Sequence, residues 1–255
     1  MIDCHTHWHP EWSGSSQTDP QPWLEVLDRN GITHAVVLPT RGLIDDALLE
    51  QDNEDILSCA SRSGGRMIPF CTVNLWQGGK ALQELDRCVA RGVRGIKFHP
   101  WLQAFPVNHS LMDEVCEKAS AAGIPILLHD GTPPMSLPSQ IGLAARRHPR
   151  TTFILGHCGM LEFWREAIMV MNRCANVWGC LCSPHPGAMR EIFHRGPKDR
   201  LCWGSDFGFG AFDLIRYRLG LLECAVPSAS DRAVLLEENP FRLFPHDSAS
   251  DAALR

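Results

Sequence analysis

Short apolar runs, rich in β-branched residues, recur along the chain. They lie at 1–7 (MIDCHTH), 34–40 (HAVVLPT), 67–75 (MIPFCTVNL), 93–99 (VRGIKFH), 124–130 (IPILLHD), 152–158 (TFILGHC), 175–183 (ANVWGCLCS) and 200–206 (RLCWGSD). Their length and their bounding Gly and Pro residues predict buried parallel strands rather than helices. Between the runs the apolar residues change to helical spacing. Leu82, Leu85, Cys88 and Val89 predict a helix over 79–91, and Leu111, Val115 and Ala119 predict one over 111–122. Gly92 and Gly123 supply the left-handed caps that end them.

Eight strand–helix units of about 32 residues each, the size of a βα repeat, fill the chain. The alternation fits an open doubly wound sheet or a closed (β/α)8 barrel. Polar residues able to bind a metal end strands 1, 4, 5, 6 and 8. An open sheet would hold those ends far apart, whereas a closed barrel gathers them at one mouth. A single-domain (β/α)8 TIM barrel over residues 1–245 is therefore expected, with 246–255 as a frayed C-terminal tail.

Composition narrows the function classes. The 255 residues carry 24 Lys and Arg against 29 Asp and Glu, a net charge of −5, with no basic stripe to suggest nucleic acid as a partner. No apolar run approaches the roughly 18 residues of a membrane helix. Met1-Ile2-Asp3-Cys4-His5 has neither the positive region nor the apolar core of a signal peptide. Eleven cysteines, an odd number with no Cys-x-x-Cys pair, read as reduced and mostly buried thiols in a cytoplasmic protein.

The chemistry begins in strand 1. His5 and His7 are two apart, so both project to one face, a chelating pair for Zn²⁺ or a similar ion. Polar groups recur at later strand ends, in Leu127-Leu128-His129-Asp130-Gly131, Leu155-Gly156-His157-Cys158-Gly159 and Trp203-Gly204-Ser205-Asp206-Phe207. Each follows an apolar run and precedes a glycine-containing loop, where a barrel places its active-site groups.

These segments resemble the amidohydrolase superfamily, specifically the amidohydrolase-related branch that includes aminocarboxymuconate-semialdehyde decarboxylase. The resemblance rests on D-x-H-T-H at 3–7, G-I-K-F-H-P at 95–100, L-H-D-G at 128–131, G-H-C-G at 156–159, G-S-D at 204–206 and N-P-F-R-L-F at 239–244, in order along nearly the whole chain. It implies that His5, His7, His129 and Asp206 bind a metal, with His157 beside them as a further ligand or proton carrier. A divalent ion with an open position lowers the pKa of bound water towards about 7. Asp206 would then act as general base and later as acid, passing its proton to His157.

Lys97 and His99 on strand 4 face the same way, with Phe98 towards the helices. In dihydroorotase-like relatives a lysine on this strand is carboxylated and bridges two metals; a modified Lys97 would add a second metal site with His129 and His157. Otherwise Lys97 stays an ammonium and the chain holds one ion, with zinc favoured by the imidazole-rich ligand set. His99 is expected to contact substrate. Arg41, just after strand 2, is either a forked anion contact or a solvated loop residue. Trp8, His9 and Trp12 either wall the pocket or pack the N-terminal loop, and His185 is expected at a helix start. Cys4, Cys158 and Cys182 read as small packing residues. The loop at Gly208-Phe209-Gly210 is a candidate cover for the pocket, and Asn239 to Phe244 is expected to close the barrel.

The expected function is a metal-dependent hydrolase cleaving an amide, lactone or ester-like bond of a small molecule. Non-oxidative decarboxylation of a small carboxylic acid is the alternative with the same residues. A non-catalytic metal-binding barrel is a third, which the convergence of so many polar groups disfavours. Apolar helix faces leave room for a homo-oligomer.

Overall fold

A computed structural model describes residues 1–8, 19–208 and 214–245. His9, Trp12, Phe209, Gly210 and the tail after 245 lie outside the described residues. Eight strands run β1 (Ile2–His7), β2 (His34–Leu38), β3 (Met67–Cys71), β4 (Gly95–Phe98), β5 (Ile126–Leu128), β6 (Phe153–Leu155), β7 (Val177–Leu181) and β8 (Leu201–Trp203). They pair in sequence order, every pairing parallel. The cylinder closes between its first and last strands: Asp206 N donates to His5 O at 2.8 Å, and His7 N to Phe207 O at 2.7 Å. Helices α1 (Gln21–Arg29), α2 (Leu49–Arg62), α3 (Gly79–Ala90), α4 (Asp113–Ala122), α5 (Pro138–Arg147), α6 (Trp164–Arg173), α7 (Pro186–Arg195) and α8 (Ile215–Ala225) alternate with the strands. This is the single-domain TIM barrel that the periodicity predicts.

The strands are shorter than the apolar runs. The ladder of β5 ends at Leu128 and that of β6 at Leu155, so His129 is the first residue beyond its strand and His157 the second beyond its own. Helix 111–122 splits into a 3-10 turn, Ser110–Met112, and α4, ended by Gly123 at φ 66°. On α3 the buried residues Ala81, Leu85 and Cys88 keep the expected spacing, but buried Glu84 shares their face. It is tolerated because Asn53 donates to it at 2.8 Å and Arg87 grips both its oxygens, at 2.7 and 2.8 Å.

Alternation sorts the strand residues into two cores. Val37, Ile96, Phe98, Ile126 and Leu128 face the helices, where Phe98 meets Phe105 edge-on at 5.5 Å. Inside the barrel, Ile2, Val36, Ile68, Phe70, Leu127 and Ile154 form a separate apolar cluster. Phe70 lies over Gly95, where an added Cβ would stand 2.2 Å from the ring. From below, Phe244 meets Phe70 at 5.8 Å between centroids. It arrives on three short helical turns, Ala229–Ala233, Val234–Glu238 and Asn239–Leu243, which Asn239 ties down by donating to Lys198 O and Leu201 O, both at 2.7 Å. The barrel is plugged at this end, and its chemistry lies at the other.

Candidate active site

β1 carries an irregularity that builds the site. Asp3 pairs with Ala35 and Thr6 with Val37, so three steps on β1 match two on β2. Cys4 and His5 together oppose Val36, a β-bulge. The bulge is pinned by Asp3, whose Oδ1 accepts from His5 N at 3.1 Å and from Ser205 N at 3.0 Å. One carboxylate thus fixes the backbone under both His5 and Asp206. Burial pushes the Asp3 carboxyl up to about 7 against those hydrogen bonds. Gly204 makes room for the first imidazole, since a Cβ there would meet His5 Cβ at 2.4 Å.

His5 and His7 turn their Nε2 atoms to Asp206 Oδ1, at 3.5 and 3.4 Å. Their Nδ1 atoms face backbone carbonyls, Gly156 O at 3.1 Å and Pro39 O at 3.4 Å. A carbonyl only accepts, so each Nδ1 carries the proton and each neutral ring presents an Nε2 lone pair to the carboxylate. Burial holds both rings below the usual histidine range; at His5 the Lys97 ammonium adds to this, and at His7 Asp206 opposes it. Burial would raise the Asp206 carboxyl, but its neighbours His7, His5 and His157 outweigh that and hold it well below the usual carboxylate range. Lone pairs aimed at an anion repel unless a cation lies between them. Two imidazoles and a carboxylate, their donor atoms within 4.8 Å of one another, fit a divalent ion on that ground.

A second group, His5, His157 and Cys182, satisfies the same spacing. His157 stands 4.7 Å from His5 between ring centroids. Its Nδ1 lies 3.1 Å from Cys182 O and 3.1 Å from Ser183 Oγ, so Nδ1–H is held and Nε2 is left to meet His129 Nδ1 at 2.9 Å. His129 is in neither metal-capable group among the described residues. Its ring stacks instead on His99, 3.9 Å apart and 14° from parallel. Burial lowers all three, His157 to about 4, His99 to about 3 and His129 further. Asp130 sets this wall by accepting from His157 N at 2.6 Å and Gly159 N at 2.5 Å.

Lys97 is wholly buried inside the barrel, with Nζ 3.3 Å from His5 Nε2. Burial lowers it to about 8, although Asp206 pulls the other way. Arg41 is taken up within the chain: Nε meets Asp52 at 3.2 Å and Nη2 meets Asp55 at 2.5 Å. Asp52 also accepts from Thr40 N at 2.9 Å, and Thr40 Oγ1 lies 3.4 Å from His7 Nδ1, so Arg41 supports the wall behind His7. Trp8 is buried in the outer core, and His185 caps α7 by accepting from Ala188 N at 3.3 Å. Cys4, Cys158 and Cys182 are buried free thiols. Asp3, Thr40, Asp130 and Ser183 are the supporting residues that motif spacing does not single out. Asp3 and Asp130 do stand inside the quoted motifs, next to histidines.

The sequence model described as Amidohydrolase matches residues 2–246. No curated protein matches the chain. Among solved structures it is similar to a probable 2-pyrone-4,6-dicarboxylic acid hydrolase from Acinetobacter baumannii, at a TM-score of 0.75 and 16% identity over 96% of this chain and 99% of that one. It is also similar to 5-carboxyvanillate decarboxylase from Sphingomonas paucimobilis (TM-score 0.70, 15% identity, covering 88% and 82%). A third is 2,6-dihydroxybenzoate decarboxylase from Rhizobium (TM-score 0.72, 15% identity, covering 95% and 98%).

Proposed function

The chain belongs to the amidohydrolase family, and from that premise we propose that it is a zinc-dependent enzyme acting on a small carboxylic acid, by hydrolysis of an amide, lactone or ester-like bond. The observation that carries the reading is the pair of imidazole Nε2 atoms aimed at one Asp206 oxygen, 3.4 and 3.5 Å away. His5, His7 and Asp206 hold the ion, while His129, hydrogen-bonded to His157, stands outside that ligand group. When bound, such an ion supplies Lewis-acid polarisation and an activated water near neutral pH. Asp206 takes the proton of the attacking water and returns it to the leaving group. The hydrogen-bonded His157–His129 pair is the route by which a proton leaves Asp206, and His99 lines the substrate side of that pair.

Decarboxylation is a second reading, favoured by the two decarboxylases among the similar structures. There the C–C bond to a carboxylate breaks, CO2 departs, and a proton from Asp206 or His157 replaces it on carbon. Elemental analysis of the purified chain, followed by separate acid-release and CO2-release assays on a panel of aromatic and lactone carboxylates, tests both. Hydrolysis gives acid without CO2, and decarboxylation gives CO2. One zinc per chain is expected, with Lys97 unmodified. Two ions and an intact mass increased by one CO2 would mark a carboxylated Lys97. A chain that takes up no divalent ion overturns the proposal.

A further inference from the structure

We infer that Arg218, in the first turn of α8, holds a carboxylate of the substrate at the mouth of the barrel; the inference rests on the small-carboxylate reading above and names the residue that recognises the acid. Six described arginines are withdrawn from full exposure. Arg41, Arg66, Arg87, Arg200 and Arg232 all donate to carboxylates or backbone carbonyls. Arg218 differs: its Nε is shut off from water and has no hydrogen-bond partner. Its guanidinium meets the adjacent Tyr217 ring only loosely, at 6.0 Å. A buried N–H left unmade costs about 1–3 kcal/mol, more on a charged group. A folded chain keeps such a donor where something else completes it.

Its position says what that partner is. α8 follows β8, and in a barrel the helix turn nearest the strand's C-terminal end borders the active-site mouth. The positive charge of Arg218 lowers the Cys182 thiol, one residue past β7, against the burial that raises it. The carbonyl of that same residue holds His157 Nδ1 at 3.1 Å, and the next residue, Ser183, adds a hydroxyl at 3.1 Å. Arg218, in the first turn of the helix after β8, therefore lies on the same side of the mouth as the segment that positions these imidazoles. Arg41, the other arginine near the mouth, is neutralised by Asp52 and Asp55. A planar fork without an anion, beside a site read as acting on a carboxylic acid, matches a carboxylate bidentately.

The test is calorimetric titration of the zinc-loaded full chain with isophthalate, whose two carboxylates are too far apart to chelate one ion, and with neutral isophthalamide. Arg218→Gln is expected to weaken isophthalate binding by roughly 10- to 100-fold, the worth of a charge-assisted hydrogen-bonded pair. Arg218→Lys should recover part of the loss, and isophthalamide should not distinguish the variants. Zinc content and thermal midpoint, measured on the same samples, should stay at the wild-type values. Equal isophthalate affinity in wild type and Arg218→Gln overturns the assignment, as does absence of saturable isophthalate binding by the wild type. Loss of the metal reading looks different, because a chain without zinc uptake would still show the Arg218-dependent step.

Discussion

The two ends of the barrel interior are built on opposite principles. At the lower end Phe70, Ile68, Val36, Ile154 and Phe244 pack without a polar group among them. At the upper end five histidines, Asp206 and Lys97 are crowded into ring contacts and hydrogen bonds of 3–5 Å. Backbone conformation divides the same way. All five described non-glycine residues with positive φ, Ala104, Cys158, Met160, Ser183 and Asp206, lie in loops that follow strands, at the mouth. The lower end earns stability by shedding water from hydrocarbon. The upper end gives up stability to hold charged and lone-pair groups close together away from water. A substitution below should therefore be felt in folding, and one above in binding.

Phe70→Ala is the strongest test of the lower end. Emptying that ring from between Gly95 and Phe244 should cost about 3–5 kcal/mol in urea unfolding, while zinc per folded chain stays unchanged. Were zinc lost in proportion, the two ends would be one cooperative site. Asp206→Asn is the converse. Zinc affinity, measured by chelator competition, should fall by more than the roughly 10- to 100-fold that an outer-shell partner is worth, with the unfolding midpoint little moved. Asp3→Asn probes the join, since its oxygen fixes both β1 and the residue before Asp206. Zinc affinity should drop by about 10- to 100-fold.

The smallest effect lies outside the barrel, at Glu84. Burial raises its carboxyl, but hydrogen bonds from Arg87, Asn53 and Cys88 outweigh that and leave it below the usual range. A carboxylate lowered by folding adds stability above its unfolded pKa of about 4.3, and that stability is lost as pH falls through the folded value. Glu84→Gln should cost about 1 kcal/mol at pH 7 and less at pH 3, flattening the acid limb of the stability curve. An acid limb identical to the wild type would show that the Glu84 network is energetically silent.

The strands were legible because eight apolar runs carry clear punctuation, and the meeting of His5 and His7 with Asp206 follows once the first and last runs adjoin. Other features depend on facts that spacing does not hold. The bulge exists only in the pairing of β1 with β2, and no residue in D-x-H-T-H signals the extra step. Arg41 read as an open anion contact as readily as a loop residue, because the carboxylates that claim it lie 11 and 14 positions on, along α2. His129 and His157 both sit at strand ends, yet only side-chain rotation decides that they bond each other. Arg218 is inconspicuous in the sequence, where nothing separates it from the exposed Arg216 two positions before.

The extra residue in β1 has a consequence for how abruptly the interior changes character. In a regular strand, inward positions come every second residue, about 6.6 Å apart along the chain, and a transition from oil to electrolyte would be spread over that distance. With Cys4 and His5 facing inward in succession, the last thiol of the plug and the first imidazole are neighbours in the chain. The mouth thus acquires a sharp dielectric floor. Ions and protons above it are confronted by hydrocarbon within one residue, and have nowhere to go but outward.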